Sequence, residues 1–148
     1  MDTEQGRRAA EEEIRDLVEA RVQAVRSRDL NAAIAHHAPD VVAFDVVNPL
    51  QYLGADTVRE RTQAWFALYP EGIGYEVRDL YVAAGEEVAF CHHLYRVTGT
   101  TSAGAQVDMW VRATVCFQKS DGVWKVVHDH ESVPFDPETG KASMELKP

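Results

Sequence analysis

Apolar residues recur every three or four positions through the first part of the chain. This spacing predicts an amphipathic helix from about Arg7 to Arg28. Asp29 then offers an N-cap for a short second helix, which Pro39 ends. A third apolar stripe at the same spacing predicts another helix that ends near Tyr69.

Alternation of period two replaces the helical spacing in the second half of the chain. The run from Val41 to Val47 is apolar on both alternating faces, which predicts a strand covered on both sides. Four later segments also read as strands, and their sequences are YEVRDLYVA, EVAFCHHLYRVTGT, QVDMWVRATVCFQK and VWKVVHDHESVPF. Helices followed by strands are typical of the α+β class. We therefore predict one long, twisted antiparallel sheet wrapped by three N-terminal helices, in the shape of a half-open cone that encloses a pocket.

Length and composition favour a single domain with a real hydrophobic core. The chain has 148 residues, of which 45% are hydrophobic, and this size suits one domain over 1–148. We expect the core to span about residues 7–135 and a polar, peripheral tail to span 136–148. The net charge of −9 argues against a nucleic-acid surface, because phosphate binding needs clustered Lys and Arg.

The chain offers no sign of a membrane or an export signal. No apolar run is long enough to span a bilayer, and the first residues, MDTEQGRRAAEEE, lack an apolar signal segment. Cys91 and Cys116 lie in apolar strand-like segments, which predicts packed, reduced thiols. These features predict a cytoplasmic location and no membrane partner.

The turns between the last strands allow a prediction of which side chains share a face. We expect Thr100 to pair with Ala105, and Phe117 to pair with Lys125. A slip of one residue in either hairpin would exchange the two faces of a strand. The face under the helices is then predicted to carry Phe90, His92, Leu94, Arg96, Met109, Val111, Ala113, Val115, Asp129 and Glu131.

The opposite face of the sheet is predicted to be an interface between two copies of the chain. It would carry Trp110 and Tyr95 beside His128, His130 and Ser132. Aromatic residues and arginine are enriched in protein interfaces. This face therefore favours a homodimer.

Three stretches resemble the nuclear transport factor 2-like superfamily, which includes ketosteroid isomerase and SnoaL-like polyketide cyclases. They are DLNAAIAHHAPDVVAFD, GADTVRERTQAWF and RATVCFQKSDGVWKVVHDHESVPF. The ending DGVWKVVHDHESVP is also similar to the association domain of calmodulin-dependent protein kinase II. The resemblance implies a cone that encloses a pocket for a small, partly apolar organic ligand. It implies no metal, and a fold-level match does not specify a substrate.

The resemblance also assigns expected roles to four positions. Asp45 lies where ketosteroid isomerase has its general base. Arg21 stands in place of the isomerase tyrosine. Ala113, or Thr114 if the register slips, stands in place of its second, protonated aspartic acid, so the isomerase oxyanion hole is not preserved. Arg96 matches one of the arginines that line the pocket of the kinase association domain.

The residues themselves support acid–base chemistry at the same positions. Burial among Val and Phe side chains disfavours the charged form of a carboxylate, which would suit Asp45 to act as a general base. The alternative is a structural pairing of Asp45 with Arg21 or with a backbone amide. Arg21 and Arg96 could stabilise an oxyanion, or could only form salt bridges at the edge of the fold.

Three further groups could relay protons or bind a metal. His92, Asp129 and Glu131 would share an enclosed space, where paired carboxylates raise one another's pKa. His128 and His130 alternate on one strand as metal ligands can, but a third ligand is not evident, so we predict no metal. No dinucleotide or phosphate-binding fingerprint occurs, so we predict no cofactor.

These expectations lead to one preferred function and one rival. An apolar wall is predicted around the ligand, of which about half would be ordinary core packing. We predict a cofactor-free isomerase or cyclase that abstracts a proton next to a carbonyl, with Asp45 as the base. The rival is a non-catalytic ligand-binding or homo-oligomerisation module. The expected wall consists of Tyr52, Trp65, Phe66, Tyr69, Phe90, Leu94, Met109 and Val111.

Overall fold

The first half of the chain forms three helices, as the apolar spacing predicts, and two strands separate the third helix from the other two. The computed structural model describes residues 3–148, and Met1 and Asp2 of the predicted domain lie outside the described residues. The Thr3 side chain caps the first helix by accepting a hydrogen bond from the Gly6 amide, and Asp29 caps the second through the Ala32 amide. The helices are α1 (Glu4–Ser27), α2 (Leu30–Ile34) and α3 (Ala55–Leu68).

Six strands form one curved sheet over the helices. Its strand order is β2-β1-β6-β5-β4-β3. Neighbouring strands are antiparallel except for β1 and β6, which run parallel, so the predicted sheet is antiparallel in all but that pair. The strands are β1 (His37–Phe44), β2 (Tyr52–Leu53), β3 (Gly74–Ala84), β4 (Val88–Thr100), β5 (Gln106–Ser120) and β6 (Val123–Ser132).

The hairpin between β4 and β5 has a different register from the predicted one. The Thr101 amide donates to the Ala105 carbonyl at 2.8 Å, and the Thr101 hydroxyl accepts from the Ala105 amide at 3.0 Å. These bonds make Thr101 and Ala105 the closing pair of the loop, so Thr100 pairs with Gln106. The predicted pairing of Thr100 with Ala105 is therefore wrong by one residue.

The slip of one residue exchanges the two faces of β4. His92 and Phe90 are exposed on the outer face, and Leu94 and Arg96 are half-buried there. The prediction that these four side chains face the pocket is wrong, because side chains alternate along a strand and a shift of one inverts them all. The residues of β4 that face the helices are Ala89, Cys91, His93, Tyr95 and Val97.

The hairpin between β5 and β6 also departs from the prediction, but a bulge restores the faces. Asp121 and Gly122 form its tight turn with positive φ of 52° and 78°. Phe117 consequently pairs with Val126 rather than with Lys125. A bulge after this pair adds one residue, so Asp129 and Glu131 face the helices as predicted.

The hydrophobic core lies between the helices and the inner face of the sheet. Ile14 and Val25 of α1 are fully buried against it, as are Val41 of β1 and Val111 of β5. Full burial of such a side chain stabilises the fold by about 1.5–3 kcal/mol. This packing fixes α1 across the sheet and leaves space toward one end of the cone.

Candidate active site

A cavity of about 330 Å³, called the main cavity below, occupies the end of the cone between α3 and the inner face of the sheet. Its walls are mostly apolar and aromatic. Nine of the predicted site residues line it. Those lining residues are Arg21, Asp45, Tyr52, Trp65, Tyr69, Met109, Val111, Asp129 and Glu131.

The four predicted site residues of β4 lie outside the main cavity. The Arg96 guanidinium forms a two-pronged ion pair with Asp108, at 2.8 Å for both contacts, and reaches Glu76 at 3.4 Å. His92 stacks on Tyr81 with ring centroids 5.0 Å apart. Phe90 and Leu94 lie on the same outer face as these residues. None of the four lines the main cavity, so the structure does not bring them to the site.

Asp45 lies in the main cavity, but its surroundings are not the predicted apolar ones. Its carboxylate accepts a hydrogen bond from Arg61 Nε at 3.1 Å and another from the Val46 amide at 2.6 Å. The Asp45 side chain is only 17% exposed, and that of Arg61 is 23% exposed. The partner is Arg61 rather than Arg21, because α3 lies beside the end of β1. Arg61 lies four residues before Trp65, so both side chains are on the same face of α3. This spacing could have predicted that Arg61, like Trp65, reaches the cavity.

The floor of the main cavity is a layer of buried polar groups, called the polar layer below. It consists of Arg21, Tyr75, Tyr95, Asp129 and Glu131. Arg21 Nη1 donates to the Ala33 carbonyl at 3.0 Å, which holds the guanidinium at the junction of α1 and α2. The rings of Tyr75 and Tyr95 lie 5.0 Å apart, side by side on β3 and β4.

Sequence reasoning missed the two tyrosines of the polar layer. The predicted β4 register placed Tyr95 on the outer face. Alternation along YEVRDLYVA could have placed Tyr75 inward together with Val77, but it does not show what lies opposite. Both side chains are buried, at 6% and 5% exposed, so their hydroxyl groups belong to the interior and not to the surface.

Burial makes the two carboxyl groups of the polar layer hold protons more tightly than usual. Burial, together with the nearby Asp129 and Asp45, raises the pKa of Glu131 to about 8, although Arg21 and Tyr95 oppose the change. Burial also raises the pKa of Asp129. Because its pKa is about 8, the Glu131 carboxyl group is protonated at neutral pH.

Arg21 remains charged beside this pair. Burial lowers the pKa of Arg21, but Tyr75, Glu131 and Asp129 together outweigh burial and leave it raised. Burial likewise raises the pKa of Tyr75 and Tyr95, so both phenols keep their protons. The polar layer therefore presents a cation, two neutral hydroxyl groups and the protonated Glu131 carboxyl group beside Asp129.

The C-terminal segment closes part of the main cavity. It turns back at residues 136–141, pairs Phe135 with Ala142, and is held by a 2.7 Å hydrogen bond from the Ser143 amide to the Pro134 carbonyl. Ala142 and Met144 line the main cavity. The prediction that this tail is peripheral is therefore wrong.

Residues 3–148 contain neither a cluster of metal-binding side chains nor a helix that could cross a membrane. Within residues 3–148, no three His, Cys, Asp or Glu side chains are grouped so that they could hold a metal ion. His128 instead places Nδ1 2.7 Å from the Val42 carbonyl. Over the same residues, no helix has the length and apolar character needed to cross a membrane.

Comparison with known proteins gives one family and many related structures. The model of the SnoaL-like domain matches residues 14–136. An NTF2-like protein of unknown function from Pseudomonas putida KT2440 is 38% identical, with a TM-score of 0.87 over 95% of this chain and 97% of that one. A search of the curated proteins finds no match.

Two more distant structures share the fold. A candidate calcium/calmodulin dependent protein kinase II association domain from Xanthomonas campestris is 18% identical, with a TM-score of 0.71 over 90% of this chain and 88% of that one. A ketosteroid isomerase-like protein from Erwinia carotovora atroseptica is 23% identical, with a TM-score of 0.68 over 80% of this chain and 92% of that one. At these identities the likeness concerns the fold alone.

Proposed function

Because the chain belongs to the SnoaL-like domain family of the NTF2-like superfamily, we propose that it moves a proton next to a carbonyl group of a small organic ligand. The observation that carries this proposal is the carboxyl pair Asp129–Glu131 at the floor of an apolar cavity. A volume of about 330 Å³ suits a ligand of one or a few rings. The apolar walls favour a partly apolar molecule. The polar layer can form hydrogen bonds with a polar group at one end of that molecule.

In this proposal the protonated Glu131 is the acid and Asp129, in its ionised form, is the base. The ionised carboxylate accepts the proton from the carbon beside the carbonyl group. The neutral carboxyl group and Arg21 stabilise the negative charge that develops on the carbonyl oxygen. Return of the accepted proton to another carbon completes an isomerisation, and attack of the enolate on a second carbonyl group completes a cyclisation.

Asp45 provides a second candidate for the base. Its ion pair with Arg61 keeps a carboxylate at the wall of the same cavity. In this arrangement Glu131 and Arg21 serve only as hydrogen-bond donors to the carbonyl oxygen of the ligand. The two assignments concern the same reaction and differ in which carboxyl group touches the carbon.

Exchange of carbon-bound hydrogen for deuterium tests the proposal without knowledge of the natural substrate. A panel of cyclic ketones and enones is incubated with the protein in deuterated water, and label beside the carbonyl group is followed by NMR. Loss of a general acid or base costs about 10²–10⁴ in rate, so Glu131→Gln and Asp129→Asn should each lose exchange by that factor. Asp45→Asn should retain most of it if the buried pair is the base.

Two results would change or overturn the proposal. If Asp45→Asn alone abolishes exchange while Asp129→Asn retains it, the base is Asp45. If the wild-type protein exchanges no ketone of the panel faster than the Asp129→Asn, Glu131→Gln double variant, the proton-transfer function is wrong. A ligand that raises the melting temperature without exchange would then favour the binding module.

The outer face of the sheet supports a second candidate function, self-association. Tyr81 and Phe90 are 52% and 43% exposed there, with ring centroids 6.2 Å apart, and Trp110 is half-buried farther along the same face, opposite Arg96. Exposed aromatic side chains that lie together are typical of interfaces. We propose that this face joins two copies of the chain, with or without catalysis in the main cavity.

A further inference from the structure

A second, smaller cavity lies behind the polar layer. Its volume is about 60 Å³, and Leu17, Val22, Phe117 and Val126 supply much of its apolar wall. It shares part of its lining with the main cavity, so the two cavities meet at a common polar wall. The shared residues are Arg21, His37, Tyr75, Asp129 and Glu131.

The two cavities overlap at His37, where β1 begins, and only the main cavity extends to the residues that follow β1. The small cavity is lined by His36 and His37, where β1 begins, and by the exposed Ala32 of α2. The main cavity is lined by Asp45 and Val47, which follow the end of β1. A strand of this length separates the two ends by roughly 25 Å. The small cavity therefore gives the polar layer a second border, next to His36 and the exposed Ala32.

Two histidines border the small cavity without a hydrogen-bond partner for Nδ1. Within the described residues, Nδ1 of His93 and Nδ1 of His37 are both buried and neither is hydrogen-bonded. His93 is 92% buried, on the inner face of β4. A buried polar atom left unpaired is costly, and a bound water molecule is its commonest partner in proteins. A small shift of either ring would bring a nitrogen to such a water.

The charge states of these groups suit proton transfer. Burial lowers the pKa of His93 to about 4, and burial with the Arg21 charge does the same for His37. Both imidazoles are neutral at pH 7, so each carries one N–H and one free lone pair. The remaining titratable groups around the small cavity are Arg21 of α1, His36, Tyr75 of β3, and Asp129 and Glu131 of β6.

We propose that the small cavity binds water molecules that connect the Asp129–Glu131 pair with solvent near His36, and that protons pass along them when a ligand fills the main cavity. The volume of about 60 Å³ has room for roughly two water molecules at their liquid density. Polar partners for them come from the polar layer on one side and from His93 and His37 on the other. The relay serves the proton-transfer chemistry proposed above.

Each transfer step conserves protons and involves no oxidation. The neutral carboxyl group breaks its O–H bond and gives the proton to a bound water. That water passes another of its protons to the free lone pair of His93 or His37. The imidazole then releases the proton of its other nitrogen to the next water, and the reverse sequence recharges the carboxyl pair.

Substitutions at His93 test the water site without any requirement for turnover. His93→Phe replaces the imidazole by an apolar ring, whereas His93→Asn keeps a polar atom near the place of Nδ1. His92→Phe is the matched control, because His92 is the next residue along β4 and is exposed on the outer face. Long-lived buried water is counted by oxygen-17 relaxation of water, and the Glu131 carboxyl is titrated by carbon-13 NMR.

We expect only one variant, His93→Phe, to lose buried water and to change the titration of Glu131. His93→Phe should lose long-lived water and shift the Glu131 midpoint upward, because the carboxylate loses solvation and no charge has been removed. His93→Asn and His92→Phe should resemble the wild type. The proposal is wrong if the wild-type protein shows no long-lived water, or if His93→Phe keeps both the water and the midpoint.

Failure of the relay can be told apart from failure of the proposed function. Deuterium exchange on the ketone panel reports proton abstraction, whereas the water count reports the small cavity alone. Absence of buried water with normal exchange overturns only the relay. A crystal structure of the wild-type protein, with or without water density between His93 and Glu131, decides the site even if His93→Phe does not fold.

Discussion

Asp129 and Glu131 lie two residues apart on β6, so both carboxyl groups point to the same side of the sheet. Part of their surface is accessible, but that surface faces the main cavity rather than bulk water. The folded chain therefore holds a proton that an unfolded chain would release at neutral pH. The stability of the protein must depend on pH as a consequence.

The free energy of unfolding is expected to fall as pH rises from 6.5 to 8. The pKa of Glu131 is about 8 in the folded protein and about 4.3 in an unfolded chain, so the folded state binds more protons throughout that interval. The loss amounts to roughly 1.4 kcal/mol for each pH unit for one such group. Urea unfolding at several pH values measures it.

Two histidines have the opposite effect on the free energy of unfolding at lower pH. The folded pKa of His37 and of His93 is about 4, below the unfolded value of about 6.5, so they add stability as pH rises between those values. They are almost fully neutral in both states above about pH 7.5, and below that pH they still add stability as pH rises. The decline between pH 6.5 and 8 therefore belongs to the carboxyl pair.

Glu131→Gln should remove most of that decline. A glutamine cannot bind the proton, so the unfolding free energy of this variant should vary much less between pH 6.5 and 8 than that of the wild type. Glu60→Gln is the control, because Glu60 is exposed on α3 and should leave the slope unchanged. Equal slopes for the wild type and Glu131→Gln would contradict the buried, protonated state of Glu131.

At the level of elements, the C-terminal segment is the weakest part of the wall around the main cavity. Phe135, Met144 and Leu146 are 67%, 48% and 51% exposed, so the segment buries little apolar surface. Regions with few buried apolar contacts open at low free-energy cost. The segment is therefore the part of the wall that can move to admit a ligand.

Deletion of residues 136–148 should speed entry to the main cavity while leaving the fold intact. The variant loses Ala142 and Met144 from the wall, so an anilinonaphthalene dye should bind with a faster association rate in stopped-flow fluorescence. The global unfolding free energy should change little. Deletion of residues 147–148 alone is the control, since neither residue lines the cavity; an unchanged dye rate after the longer deletion would show that the segment is not an entrance.

At the level of the whole molecule, the curved sheet separates two surfaces of different character. Its inner face holds the cavities and the polar layer, and its outer face carries aromatic and histidine side chains. Phe44 packs its ring edge-on against His128 and His130, at 4.7 and 5.4 Å between centroids. The outer face is therefore ordered before any partner binds, which lowers the entropic cost of association.

Trp110→Glu should convert the proposed dimer to a monomer. An unpaired charge buried in the middle of an interface loses its hydration and destabilises the dimer. Light scattering should therefore report half the wild-type mass. Leu50→Glu is the control, because Leu50 is 93% exposed in the loop before β2 and lies away from the outer face. An unchanged mass for Trp110→Glu would rule out this interface.

Local spacing in the sequence determined the elements and some of the inward-facing residues. Period-3.6 spacing placed α1 with Arg21 on its apolar stripe, and period-two spacing in β6 placed Asp129 and Glu131 together. Such patterns are reliable because they depend only on the geometry of one helix or one strand. The SnoaL-like resemblance agrees with the observed cone for the same reason, since the order of elements specifies the fold class.

Only the tertiary structure decided how the elements meet. The hydrogen bonds of one short loop between Thr101 and Ala105 set the register of β4, and they decide whether His92 or His93 faces the interior. The pairing of Asp45 with Arg61 and the closure of the main cavity by Met144 depend on packing between segments distant in sequence. No local pattern encodes these contacts, because each depends on where a second element lies in space.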